Sequence, residues 1–170
     1  RDLSGRNIGG ITIGEIVLPD TEEESKIRDR ILTLAAVNEI PVRFAAKGDH
    51  MESGDMKLNI LSPGRNVWYG DNNESSMAVL GEYHGFRFLL TGDICGQAER
   101  ELAEELKKIP AGIDILKAAH HGSENSSSDG FLEAAGGKLA VISCGEGNRY
   151  GHPHESLLRS LKKHGYEISR

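Results

Sequence analysis

A layered α/β or α+β fold, with helices packed on sheet, is what this sequence predicts, and three observations predict it. Apolar runs of strand length recur and end in Gly, Asp or His: Phe86 to Asp93, Ile113 to Ser123 and Leu139 to His154. Stretches with helical spacing separate them, clearest in Gly96 to Lys108, where Ala98, Leu102 and Leu106 share one face. In mid-chain, Ser76 to Tyr83 and Phe86 to Thr91 read as a hairpin turning over His84-Gly85. Hairpins in the middle, then alternating helix and strand, fit helices laid on sheets. No internal repeat and no domain-scale linker is visible.

Taken in order, Arg1 to Gly10 is polar and glycine-rich, a loop. Ile11 to Leu18 reads as a strand closed by Pro19-Asp20. Thr21 with Glu24 three residues on forms a capping box for a helix to about Asn38, with Ile27, Ile31, Leu34 and Ala35 inward. Pro41 to Ala45 is a short strand and Lys47-Gly48-Asp49 a turn. Met56 to Leu61 alternates as a strand and stops at Ser62-Pro63-Gly64. A polar loop from Arg65 to Ser75 carries Trp68, the sole tryptophan. After the hairpin and the Gly96 helix, Pro110 to Gly112 breaks the chain before the strand from Ile113. A serine-rich loop (Ser123 to Gly130), a short helix near Phe131 to Ala135 and the strand Lys138 to Ser143 follow. Pro153 suits the first turn of a helix to about Lys163. Tyr166 to Ser169 begins a last strand.

The whole-chain numbers narrow the class. With 170 residues there is room for one domain with a real core. Hydrophobic residues at 38% and charged residues at 27% fit a soluble globular protein, not a disordered one. No apolar run approaches the roughly 18 residues of a spanning helix, and no signal peptide opens the sequence. The first residue is Arg1 and not Met, as expected of a processed, trimmed or partial chain. A net charge of -6 is not the footprint of a dedicated nucleic-acid binder. It leaves room for an enzyme acting on a phosphodiester, because bound divalent cations reverse the sign locally. Cys95 and Cys144 are not spaced as a zinc knuckle and read as small residues near strand ends.

Chemistry concentrates at the strand ends. Asp93, after Thr91-Gly92, can ligate a metal or merely cap the helix after Gly96. His120 and His121 end an apolar strand. Neighbours on a strand point to opposite faces, so one is expected to ligate and the other to hold a carboxylate or a substrate oxygen. His152, in Gly151-His152-Pro153-His154, precedes a helix N-terminus, a natural anion site. His154 is expected to be exposed in the first helical turn. His50, His84 and His164 are expected to be solvated, and Asp71 to Ser76 is a turn rich in local hydrogen bonds. One acid and two histidine sites suit a divalent metal with N/O ligands. A two-metal centre of that kind activates water and steadies the leaving oxygen of an ester or phosphodiester, but it needs more ligands than these.

Several motifs in order carry a resemblance: Asn72-Asn73-x-Ser75-Ser76, Phe88 to Asp93, Asp114 to Lys117 with His120 to Ser123, Val141 to Ser143, and Asn148-x-Tyr150-Gly-His-Pro153. Together they resemble the metallo-β-lactamase-fold domain at the C-terminal end of the ComEC family of competence proteins, the DNA-internalisation channel. Standalone hydrolases of the same subfamily share them. The resemblance runs from about Ile11 to the end and is strongest from Asn72 to Leu158. It implies an αββα sandwich, residues 1–170 being part of one hydrolase domain. It implies Asp93 as a metal-bridging and catalytic carboxylate and His120 or His121 as metal ligands. It places Asn73, Ser75, Ser123 and His152 against substrate, His152 with a catalytic role. Two divalent ions, zinc or manganese, belong to the complete domain. DNA, as a single strand, or a small phosphodiester is the implied substrate. The location implied is a soluble domain joined to a membrane channel in the bacterial inner membrane, or else a standalone soluble or secreted enzyme.

One departure matters. The family's H-x-[H/D]-x-D-H is missing. Asn7-Ile8-Gly9-Gly10 superficially matches its Asp-His-x-Gly-Gly end, with Arg6 and Asn7 in place of acid and histidine. The short spacing to Ile16 argues against that register, so the first strands and primary ligands are expected to precede Arg1. Residues 1–170 would then be roughly two-thirds of a domain, exposing some sandwich core and hydrolysing little alone. A degenerate domain that binds DNA or a partner without catalysis is the non-enzymatic alternative.

Overall fold

Seven strands hydrogen-bond into one mixed sheet in the order β11-β10-β9-β8-β7-β6-β5. The computed structural model describes residues 7–8, 11–22, 25–109 and 112–170. The strands are β5 (His50–Ser53), β6 (Met56–Ser62), β7 (Ala78–Tyr83), β8 (Phe86–Leu90), β9 (Ile115–Lys117), β10 (Leu139–Val141) and β11 (Glu167–Ser169). β5 to β8 form an antiparallel meander, and β8 to β11 run parallel. Two short pairs precede it: β1 (Asn7–Ile8) with β2 (Ile11–Thr12), and β3 (Ile16–Pro19) parallel to β4 (Val42–Ala45). Four α-helices complete the described residues: α1 (Lys26–Val37), α2 (Gly96–Leu106), α3 (Asp129–Ala135) and α4 (Glu155–Lys163).

This topology puts several connections at one edge. β6 and β8 run the same way, flanking an antiparallel β7, and β9 and β10 are parallel to β8. The segments that leave β6, β8, β9 and β10 therefore all emerge at the same end of the sheet. Each joins a strand buried at its middle: Ile60, Leu89, Leu116 and Ala140 are inaccessible or nearly so. One core unites α2, α3 and α4 with the sheet through Leu102, Phe131, Leu132, Leu157 and Leu161. The hairpin turn at His84 and Gly85 has positive φ at both positions, the two-residue turn that matches strand twist.

Several expectations are corrected. The first helix is capped by Ser25, whose hydroxyl accepts from Arg28 N, while Thr21 is buried and accepts from the Arg28 guanidinium. Thr21 is thus not the cap; Glu24 lies outside the described residues, as do Arg6, Gly9 and Gly10. Of the face expected inward on α1, Ala35 is buried, but Ile27 is 74% and Leu34 52% exposed. The narrow β3–β4 pair leaves much of this helix uncovered. β5, for which the sequence predicts no element, follows the Lys47-Gly48-Asp49 turn, pairs with β6 and puts His50 on a strand. α3 starts at Asp129 with Ser128 as its cap. Pro153 precedes α4 instead of sitting in its first turn. His154 is the N-cap position, half-buried, not an exposed helical residue. His164 is not free in solvent, for its Nε2 lies 3.0 Å from Asp129 Oδ1.

Candidate metal-binding site

The strand from Ile113 stops earlier than its apolar run suggests. β9 ends at Lys117, and Ala119–Gly122 form a 3-10 turn in which His120 (φ 47°) and His121 (φ 56°) are left-handed. Alternation on a strand therefore does not govern the pair, and both rings reach the same edge, centroids 6.4 Å apart. The turn is held from several sides. His120 N donates to Gly92 O at 3.2 Å, and Ala118 N to Val141 O. Thr91, fully buried, donates its hydroxyl to Lys117 O at 2.7 Å. Gly122 passes so close to Pro153 that a Cβ would come within 2.6 Å of its ring, so only glycine fits there.

Asp93 stands two residues past buried Thr91. The helix-cap alternative for its carboxylate is already filled by another acid. Glu74 accepts from Gln97 N at 3.0 Å, and its carboxylate occupies the space where a Cβ on Gly96 would be. At the formal cap, Cys95 makes no side-chain bond. Asp93 N donates to Ser76 Oγ at 3.1 Å, which aims its side chain along the edge. There Asp93 Oδ1 lies 3.6 Å from His121 Nε2 and 3.8 Å from Lys117 Nζ. Burial holds Lys117 below the ordinary lysine range, opposed by the Asp93 charge, and its ammonium also donates to Gly92 O.

A backbone carbonyl orients His121. Its Nδ1 is 2.8 Å from Ser143 O, and a carbonyl only accepts, so Nδ1 carries a hydrogen. Nε2 is thereby turned toward Asp93, the arrangement in which a backbone carbonyl orients a ligating imidazole. Two ligand atoms each about 2.1 Å from a tetrahedral ion sit roughly 3.4 Å apart, close to the 3.6 Å seen here. His120 Nδ1 is buried with no hydrogen-bond partner, an orphaned donor or acceptor beside the pair. An N/O ion fits this donor set in part. Among the described residues, no group of three or more His, Cys, Asp or Glu side chains converges on one point.

The Gly145 to His154 segment brings in the other rings. Asn148 clamps it, its amide nitrogen donating to Gly145 O and His152 O and its oxygen accepting from Tyr150 N and His152 N. His152 thereby lies 5.7 Å from His120, 5.7 Å from Tyr150 and 4.9 Å from His154, centroid to centroid. Burial, and then the neighbouring imidazoles, hold His152 below the ordinary histidine value, with Asp93 opposing. His154 Nδ1 accepts from Glu124 N at 3.0 Å.

The remaining residues singled out in the sequence sit nearby but are locally engaged. Asn73 N donates to the Asp71 carboxylate, and Ser75, buried, donates its hydroxyl to Asp71 O. Ser123, also buried, accepts from Asn125 N. Sequence reasoning missed Glu99. This buried acid on α2 accepts from Ser127 N and Ser128 N, and Ser127 Oγ accepts from Ala119 N. It also missed Glu74. Both act 23 or more residues away in sequence, where no local pattern announces them. Asn148, by contrast, stands in a motif read from the sequence and bonds its own next turn.

Comparison with known proteins agrees with this architecture. No protein-family profile matches the chain. The structure superposes on CmlA, a diiron beta-hydroxylase from Streptomyces venezuelae, with TM-score 0.63 and 10% identity over 92% of this chain and 38% of that one. It also superposes on the metallo-beta-lactamase fold protein YhfI from Bacillus subtilis, with TM-score 0.53 and 12% identity over 92% of this chain and 62% of that one. At these identities the likeness is one of fold, and by fold the chain is a metallo-β-lactamase-fold protein.

By sequence it is a relative of the ComEC family of competence proteins. ComE operon protein 3 of Bacillus subtilis is 30% identical over 158 residues, covering 93% of this chain. The chain spans 20% of that relative's length. Among the described residues no helix is long and apolar enough to cross a membrane.

Proposed function

We propose that this chain forms part of a metal-dependent phosphodiesterase centre, acting on DNA in the uptake process to which its relatives' competence names refer. One observation carries the reading: the Asp93 carboxylate, whose place as a helix cap Glu74 fills, and the carbonyl-oriented His121 Nε2 meet at 3.6 Å on the ends of neighbouring strands. Asp93 and His121, with His120 beside them, would hold divalent ions, zinc or manganese by their N/O donors. Such ions supply an activated water and a counter-charge for the leaving oxygen. Around them, Lys117 adds fixed positive charge against Asp93. His152, held below the ordinary histidine value by burial and the neighbouring imidazoles, is placed to take or deliver a proton beside the centre. Asn73, Ser75 and Ser123 shape the loops that border the substrate.

Asp93 and His121 are too few for a tight two-metal centre, so further ligands are assigned to other parts of a longer polypeptide, in which these residues form one hydrolase domain beside a membrane channel. The test is hydrolysis of bis(p-nitrophenyl) phosphate and of a single-stranded oligodeoxynucleotide with manganese or zinc. Residues 1–170 alone are expected to show little or no turnover. The longer polypeptide is expected to turn over, and Asp93→Ala to abolish it. Turnover that persists in Asp93→Ala contradicts the reading, as does vigorous turnover by residues 1–170 alone.

A further inference from the structure

Tyr150 is 61% exposed, yet it is not loosely held. Asn148 accepts from its N–H and locks the segment on both sides of it. Its ring stacks on His152 at 24° and 5.7 Å. Arg149 lies over the ring at 4.9 Å and donates to the Tyr150 hydroxyl at 2.7 Å. A guanidinium laid over a held aromatic ring presents a flat, cationic surface on which a planar π-system stacks at little entropic cost.

Its place on the edge says which planar group. Ring-to-ring steps of 5.7, 5.7 and 6.4 Å lead from Tyr150 through His152 and His120 to His121. A few nucleotides of an extended strand span that path. The chain carries a net charge of -6, so its overall field repels a polyanion. Affinity has to come from local cations and from stacking, the means by which single strands are held without sequence preference. A second exposed tyrosine–histidine pair, Tyr83 and His84 at 4.3 Å, occupies the hairpin at the opposite end of the sheet; His84 lies 3.3 Å from Asp55, both side chains well exposed and away from the strand ends that carry Asp93 and His121.

We propose that Tyr150, with Arg149 laid over it, is a stacking platform for one nucleobase of a single-stranded polynucleotide, a few nucleotides along from the phosphodiester that lies at Asp93 and His121. The proposal rests on the phosphodiesterase reading and narrows it to an oligomeric substrate held on the His152 side.

The experiment uses the full chain in EDTA, so that no cleavage occurs, with a short single-stranded oligodeoxynucleotide carrying 2-aminopurine. Anisotropy reads affinity and base fluorescence reads stacking. Wild type is expected to bind and quench. Tyr150→Ala is expected to lose affinity by roughly 5- to 150-fold, the size of one base–aromatic stack, and to relieve the quench. Tyr150→Phe keeps both, and Tyr83→Ala behaves as wild type. An abasic site scanned along the oligonucleotide should weaken wild type at one position and have no effect there in Tyr150→Ala. Several results overturn the proposal: no binding by wild type, unchanged affinity or quench in Tyr150→Ala, or a free mononucleotide bound as tightly as the oligonucleotide. Metal affinity measured separately on Asp93→Ala tests the underlying reading, so the two can fail independently.

Discussion

On α2, α3 and α4, apolar side chains that helical spacing turns inward are inside: Leu102, Leu106, Phe131 and Leu161 are all nearly inaccessible. In α1 the same kind of pattern ends otherwise, with Ile27 and Leu34 at 74 and 52% exposure. Amphipathic spacing says which residues share a face. It does not say whether anything covers that face. The difference follows from the partner. α2, α3 and α4 share one core with the large sheet, whereas α1 has the two-stranded β3–β4 pair next to it in the chain. Every residue of the candidate centre hangs from the well-covered half, where a carboxylate and an imidazole can be held to a fraction of an ångström.

The comparison breaks most easily by core truncation. Phe131→Ala should cost about 3–5 kcal/mol in urea unfolding, while Ile27→Ala should stay within about 0.5 kcal/mol of wild type. Equal costs would mean that α1 is as tightly packed as α3. Next in size is Glu99→Ala, which strands two backbone N–H groups and should cost roughly 2–4 kcal/mol. As Glu99 only positions the His120–His121 turn, through Ser127, the folded variant should also bind metal roughly 10- to 100-fold more weakly. Glu99→Gln, which keeps one acceptor, should recover part of both. Loss of stability with unchanged metal affinity would reduce Glu99 to a merely structural role.

A smaller effect concerns Asp129, whose carboxyl is held well below its usual range by Lys163, Ser160 and His164. A depressed carboxyl contributes stability above the unfolded value of about 3.9 and loses it as pH falls through that value toward the folded one. Asp129→Asn should therefore be modestly destabilised at pH 7, with a gap to wild type that closes below about pH 4. A gap independent of pH would remove the ion pairs from the account. Least of all, Leu34→Lys on the open face of α1 should change stability by no more than about 0.5 kcal/mol.

Much of this was legible in the sequence, for physical reasons that differ by element. β8, β9 and α2 announced themselves because apolar spacing and length leave little choice. Asp93, His120, His121 and His152 stood out as candidates because they follow apolar strands in the sequence. The handedness of His120 and His121 was not legible. It depends on Gly92 O and Val141 O, contributed by neighbouring strands. Nor was the choice between Asp93 as a helix cap and Asp93 as a free carboxylate, since Glu74 decides it from across a loop. The α1 cap was misassigned because Thr21 and Ser25 both satisfy the local rule, and only packing assigns Thr21 to Arg28.

Calorimetric titration of the chain with zinc or manganese tests the central claim most directly. Wild type should bind, and Asp93→Ala and His121→Ala should each lose more than the roughly 10- to 100-fold expected from an orienting partner alone. Affinity unchanged in both folded variants would contradict the assignment of Asp93 and His121 as one ligand pair.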